Sequence, residues 1–181
     1  MRSFRDEWVE TWRGFIAVDH VPAVGALGVS LNRRRLLQVL ALLGAISAYA
    51  TIVLGGTVRG MGAGLACPDW PLCNGSAIPN LRDTAVAVEY AHRLAAALTS
   101  LSIFLTMIVA ILWFRAQLQL VTLSFITFVI LVTQVAVGAV TITSENDPAV
   151  VTIHLALGTA TFASALIVAL LVIWRTMPLH E

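Results

Sequence analysis

The sequence predicts an all-α membrane protein: a bundle of four transmembrane helices made of two repeated helical hairpins, with an amphipathic helix ahead of it. Three observations predict this. The 181 residues are 59% hydrophobic and 12% charged, roughly half the charge of a soluble domain. Four runs with little or no charge, 36–58, 86–114, 118–143 and 149–174, can each cross a hydrocarbon core about 30 Å thick. The third observation is an internal similarity. Thr51, Val53, Gly56 and Val58 in the first run match Thr133, Val135, Gly138 and Val140 in the third at equal spacing, and in each case the next run carries a histidine near its start. Spanning segments must satisfy their backbone internally, so these runs are helices.

The elements follow in order. Phe4, Trp8, Trp12 and Phe15 recur at helical spacing among Arg and acidic residues, which reads as an amphipathic helix on the cytoplasmic membrane surface. Asp6, Glu7, Glu10 and Asp19 interrupt this stretch, so it does not resemble a secretory signal. Residues 21–32, with Pro22, Gly25 and Gly28, read as a linker. The expected organisation is a cytoplasmic extension and linker over 1–35, a transmembrane domain over 36–175 and a tail over 176–181. The second run, 86–114, is long enough to project beyond the bilayer.

Arginine placement sets the topology. Arg33, Arg34 and Arg35 precede the first span, Arg115 lies between the second and third, and Arg175 follows the fourth. The positive-inside rule assigns these positions, and with them both termini, to the cytoplasm of a prokaryotic plasma membrane. Trp113 and Trp174 fit the aromatic belt at that interface. The outer side then holds residues 59–83 and 144–148. With a net charge of +1, nothing points to nucleic acid or to an acidic partner.

The chemistry starts from two histidines. His92 precedes Trp113 by 21 residues and His154 precedes Trp174 by 20. At about 1.5 Å per residue each imidazole lies roughly 30 Å from its own tryptophan, so both sit at one depth near the outer surface. Two histidines at one depth on packed helices fit the two axial positions of a haem iron. The alternative is an interhelical hydrogen bond or a water-lined cavity. Zinc is disfavoured, because two histidines do not complete a tetrahedral site.

Glu89 precedes His92 by three residues and shares its helix face one turn outward. It is either a carboxylate solvated or paired with Arg93 or Arg82, or a general base beside a bound haem. Arg59, Arg82 and Arg93 are candidates for the haem propionates, since Arg pairs bidentately with carboxylates; each equally suits an interface anchor. Cys67 and Cys73 flank Pro-Asp-Trp-Pro-Leu in the outer loop, and on an oxidising side they are expected to form a disulfide. Gly56 and Gly138 would let a helix or a flat porphyrin approach closely. His20 and His180 read as solvated.

Three stretches, Gly55-Gly56-Thr-Val58-Arg59, Gly62-Ala-Gly64-Leu-Ala-Cys67-Pro-Asp-Trp-Pro-Leu-Cys73-Asn-Gly75 and Glu89-Tyr-Ala-His92-Arg93, together resemble the haem A synthase family. Gln134–Gly138, Pro148 and His154-Leu-Ala-Leu fit as well, and the match runs from about residue 40 to 172. The resemblance implies oxidation of a haem O methyl group to a formyl group, an oxidoreductase reaction that takes its oxygen from water and makes haem A for terminal oxidases. It assigns Glu89 to catalysis, His92 and His154 to axial ligation, and Cys67 and Cys73 to a loop disulfide. The usual members have two similar four-helix halves, and this chain is similar to the N-terminal, catalytic one. The implied cofactors are iron and haem, either haem B or the substrate haem O. The implied partners, besides haem O and membrane lipid, are a second copy of the chain or a larger complex containing haem O synthase or the terminal oxidase. The rival expectation is a bis-histidine electron-transfer or non-catalytic assembly subunit of a respiratory complex.

Overall fold

A computed structural model describes the fold over residues 27–174 and the side chains over 33–174. The bundle lies within the unit Arg33–Glu181. The amphipathic segment around Trp8, together with His20, Arg175 and His180, lies outside the described residues.

Four helices make up the described fold: α1 (Leu27–Gly60), α2 (Thr84–Trp113), α3 (Leu118–Thr143) and α4 (Pro148–Trp174). All four are long and apolar enough to cross a membrane, so the protein is an all-α membrane bundle. Three helices start and end within two residues of the runs read from sequence. α1 instead begins at Leu27, inside the stretch read as a linker. Charged residues at an interface do not stop a helix. Arg33–Arg35 are good helix formers, so the helix extends past the apolar run that marked it in the sequence.

Helix ends are set by local chemistry. The Asp83 carboxylate accepts the Ala85 N–H at 2.9 Å and starts α2. Asp147 accepts from Ala149 and Val150 at the head of α4, where Pro148 occupies the position that needs no N–H. Glu145 and Asn146 adopt positive φ in the tight turn before it.

α3 and α4 pack closely along their lengths, and α2 packs on α3. Small residues permit this: Ala41, Ala45, Ala110, Ala165 and Ala169 are all buried at the bundle centre with Leu37, Ile103, Leu120, Leu131, Val168 and Val172. Buried hydroxyls turn back onto their own helices, as Thr106 to Ser102 O and Thr127 to Leu123 O, both at 2.8 Å. Arg33 lies over the Trp113 ring at 5.0 Å, which brings the start of the α1 span to the end of α2. The opposite end of the bundle carries the histidines.

Candidate functional site

His92 is eight residues into α2 and His154 six residues into α4, about 12 Å and about 9 Å from their helix starts. Each ring lies against a glycine of the preceding helix. A Cβ on Gly55 would meet His92 Cε1 at 3.0 Å, and one on Gly138 would meet His154 Cε1 at 2.9 Å. Gly56, which the sequence matched to Gly138, has nothing within 4 Å. The glycine that admits the ring is therefore Gly55, one residue away from the sequence match. Gly55 lies four residues after Thr51 and shares its face, and that phase was the available signal.

The two imidazoles differ in their hydrogen bonding. His92 Nδ1 lies 3.0 Å from the Thr51 carbonyl oxygen. A carbonyl only accepts, so Nδ1 carries the proton and Nε2 keeps its lone pair for a metal. Thr51 is itself held, its hydroxyl donating to Ser47 O at 2.8 Å and lying 3.2 Å from that of Thr99. His154 Nε2 sits 3.5 Å from Gln134 Nε2, at the limit of a hydrogen bond, while His154 Nδ1 and Gln134 Oε1 are buried without partners among the described residues. Gln134 also lies against Gly158 of α4, where a Cβ would meet its Nε2 at 3.1 Å.

These residues fit a haem. A porphyrin brings four nitrogens of its own and takes imidazole as an axial donor, and the Thr51 carbonyl leaves His92 Nε2 with a free lone pair. No three His, Cys, Asp or Glu side chains among the described residues group as a site for a bare metal ion.

Glu89 is buried at 4% exposure and fully paired. Its Oε2 accepts the Cys67 N–H at 2.8 Å and its Oε1 accepts Arg93 Nη2 at 2.7 Å. Sequence reading anticipated the pairing with Arg93; the Cys67 N–H carried no signal in the sequence. Arg93 also donates to the Cys67 carbonyl, to Asp69 O at 2.7 Å and to Leu72 O at 2.6 Å. Its guanidinium is thus committed to the loop. Arg59 and Arg82 are both exposed.

The loop over residues 61–83 has its own frame. Cys67 and Cys73 are bridged, with an S–S distance of 1.97 Å and Cα atoms 4.5 Å apart, and both are buried. Asp69 accepts from the N–H groups of Asn74 and Gly75, which turn with positive φ. The Gly75 N–H above all, with the Asn74 N–H and the Arg93 charge, holds the Asp69 carboxyl below its usual range against a smaller desolvation effect. Tyr90 donates to Ala77 O at 2.9 Å, a further tie to α2. Gly64 abuts Asn146 of the α3–α4 turn, where a Cβ would meet Nδ2 at 2.8 Å. The loop therefore touches both ends of the site.

The match to known proteins follows the same residues. A family model described as cytochrome oxidase assembly protein matches residues 38–87 and 83–180. The chain belongs to this family. Curated relatives named heme A synthase include one from Exiguobacterium sibiricum, 29% identical over 126 residues, covering 69% of this chain and 42% of the relative. Those from Bacillus mycoides and Bacillus anthracis are each 28% identical over 140 residues, covering 77% of this chain and 45% of theirs. The chain thus spans a little under half the length of these relatives.

Proposed function

We propose that this chain oxidises the methyl group of haem O to a formyl group, the step that makes haem A. His92 and His154 would hold the haem iron and Glu89 would be the catalytic carboxylate. The observation that supports this most is that each of the two imidazoles is seated on a glycine of the preceding helix, with a buried carboxylate one turn from His92. The relatives named heme A synthase support the same reaction.

When bound, the haem supplies the redox chemistry, and the substrate carbon takes its oxygen from water. The chain's residues do the rest. The Thr51 carbonyl fixes the tautomer of His92. Gln134, in long contact with His154 Nε2, would leave that nitrogen free to hold the haem. Glu89 accepts a proton as the methyl carbon is oxidised, a role worth about 10²–10⁴ in rate. The disulfide loop keeps bulk water from Glu89, which is already nearly inaccessible. Arg59 and Arg82 take the propionates, because Arg93 is occupied by the loop.

In the same proposal the arginine-bearing ends and both termini face the cytoplasm, and the site opens near the outer surface. The chain works as a homo-oligomer or within a larger complex that includes haem O synthase or the terminal oxidase. Sedimentation in mild detergent checks this, and a fully active monomer would count against it.

One observation favours a second reading. Both Glu89 oxygens are consumed by Cys67 and Arg93, as expected of a carboxylate whose whole role is to hold the loop. The chain would then be an electron-transfer or assembly subunit. Supplying haem O and an electron acceptor to the purified protein, then extracting and identifying the haem, separates the two. Formyl haem supports the enzyme, and haem O bound but unchanged supports the second reading.

A further inference from the structure

We propose that Arg93 is a positioning residue that couples the Cys67–Cys73 bridge to Glu89, so that the redox state of the bridge and the placement of the carboxylate are one thermodynamic unit. Both backbone groups of the bridged residue are used. The Cys67 N–H donates to Glu89 Oε2, and the Cys67 carbonyl accepts from Arg93 Nη2, which also donates to Glu89 Oε1. Cys67, Glu89 and Arg93 thus close a ring of three hydrogen bonds. Arg93 Nη1 extends the grip to Asp69 O and Leu72 O, two carbonyls inside the segment that the bridge closes.

The ring has a definite consequence. Cys67, with no exposed surface, is held in place by the covalent bond to Cys73 on one side and by the Glu89–Arg93 pair on the other. Opening the bridge removes one of these restraints. The backbone of Cys67 then gains freedom, and the carboxylate loses its fixed N–H partner. Linkage is reciprocal: if the closed bridge favours the ring, the ring favours the closed bridge by the same factor. Removing Arg93 must therefore make the disulfide easier to reduce. The consequence for turnover rests on the catalytic reading of Glu89; the linkage itself does not.

The test is a redox titration of the purified full-length protein in detergent, without haem O and without turnover. Two electrons and two protons open the bridge to two thiols. They come from dithiothreitol, which closes to its own disulfide, and alkylation of the freed thiols reports the position of equilibrium. Arg93→Gln is expected to shift the equilibrium toward dithiol about tenfold, which is about 30 mV for a two-electron couple. Arg93→Lys, which keeps the charge but not the fork, is expected to fall between wild type and Arg93→Gln. Glu89→Gln is expected to shift in the same direction. The Arg93→Gln/Glu89→Gln pair should shift no further than the larger single effect, since both act on one ring. Where Arg93→Gln does not yield folded protein, Arg93→Lys and Glu89→Gln carry the test. Equilibria within twofold of wild type for the folded variants would overturn the proposal, as would fully additive shifts. Neither result depends on whether the protein makes haem A.

Discussion

The two histidine-bearing helix pairs solve the same placement problem by different means. On α1 and α2 the imidazole of His92 is tied through Nδ1 to the Thr51 carbonyl, and a loop of over twenty residues is clamped beside it by Glu89, Tyr90 and Arg93. On α3 and α4 a tight turn joins two closely packed helices, and His154 Nδ1 and Gln134 Oε1 are each buried without a partner among the described residues. One side is fixed by polar contacts before any ligand arrives. The other holds buried polar atoms that a ligand or a local shift must satisfy, each a cost of about 1–3 kcal/mol while unpaired. The contrast teaches that ring position comes from a glycine on each side, whereas ring orientation and the chemistry around it belong to the first pair alone.

The largest expected effect removes a ring. His92→Ala and His154→Ala should each abolish the low-spin, six-coordinate haem signal, read by optical and electron paramagnetic resonance spectra. Wild-type spectra in both variants would break the idea that the two sides share one ligand. The next test exploits the glycines. Gly55→Ala and Gly138→Ala place a methyl within about 3 Å of an imidazole and should cost roughly 1–3 kcal/mol or displace the ring, visible as altered haem binding. Gly56→Ala meets nothing and should leave haem binding unchanged. Equal behaviour at positions 55 and 56 would contradict the assignment.

Smaller effects sharpen the contrast. Cys67→Ser opens a short loop and should lower stability by about 2 kcal/mol, measured by thermal or denaturant unfolding, while leaving the α3–α4 pair intact. Asp69 adds a pH signature. Its folded carboxyl titrates below the unfolded one, so it stabilises the loop at neutral pH, and that contribution is lost as pH falls through the folded value. Protection of the Asn74 and Gly75 amides from hydrogen exchange, relative to their intrinsic rates, should fall in acid before that of α3 and α4 does. The smallest effect is expected at Ser124, whose buried hydroxyl has no partner. Ser124→Ala should cost nothing and could stabilise by up to about 1 kcal/mol.

Much of this was legible in the sequence because membrane helices are read by length and apolar content, which is why 118–143 emerged without change. The bridging of Cys67 to Cys73 was legible from their spacing around a short Pro-rich turn. What stayed hidden depends on rotation and on backbone atoms. Gly55 and Gly56 are adjacent letters that point to different faces of α1. The Cys67 N–H and the Thr51 carbonyl belong to the main chain, and no residue type announces them as partners of Glu89 and His92. Arg93 read as a propionate ligand because its charge is visible in sequence and its three loop carbonyls are not.

The central claim is that Glu89 acts on a bound substrate beyond its tie to the loop. Glu89→Gln keeps the size of the side chain and an oxygen to accept the Cys67 N–H, and leaves both histidines untouched. The decisive measurement is the haem extracted from this variant after incubation with haem O and an electron acceptor, compared with wild type. The account predicts bound haem O with formyl haem reduced about a hundredfold or more, the scale of a lost general base. Haem A at near wild-type yield would contradict it and leave Glu89 as a strut of the loop.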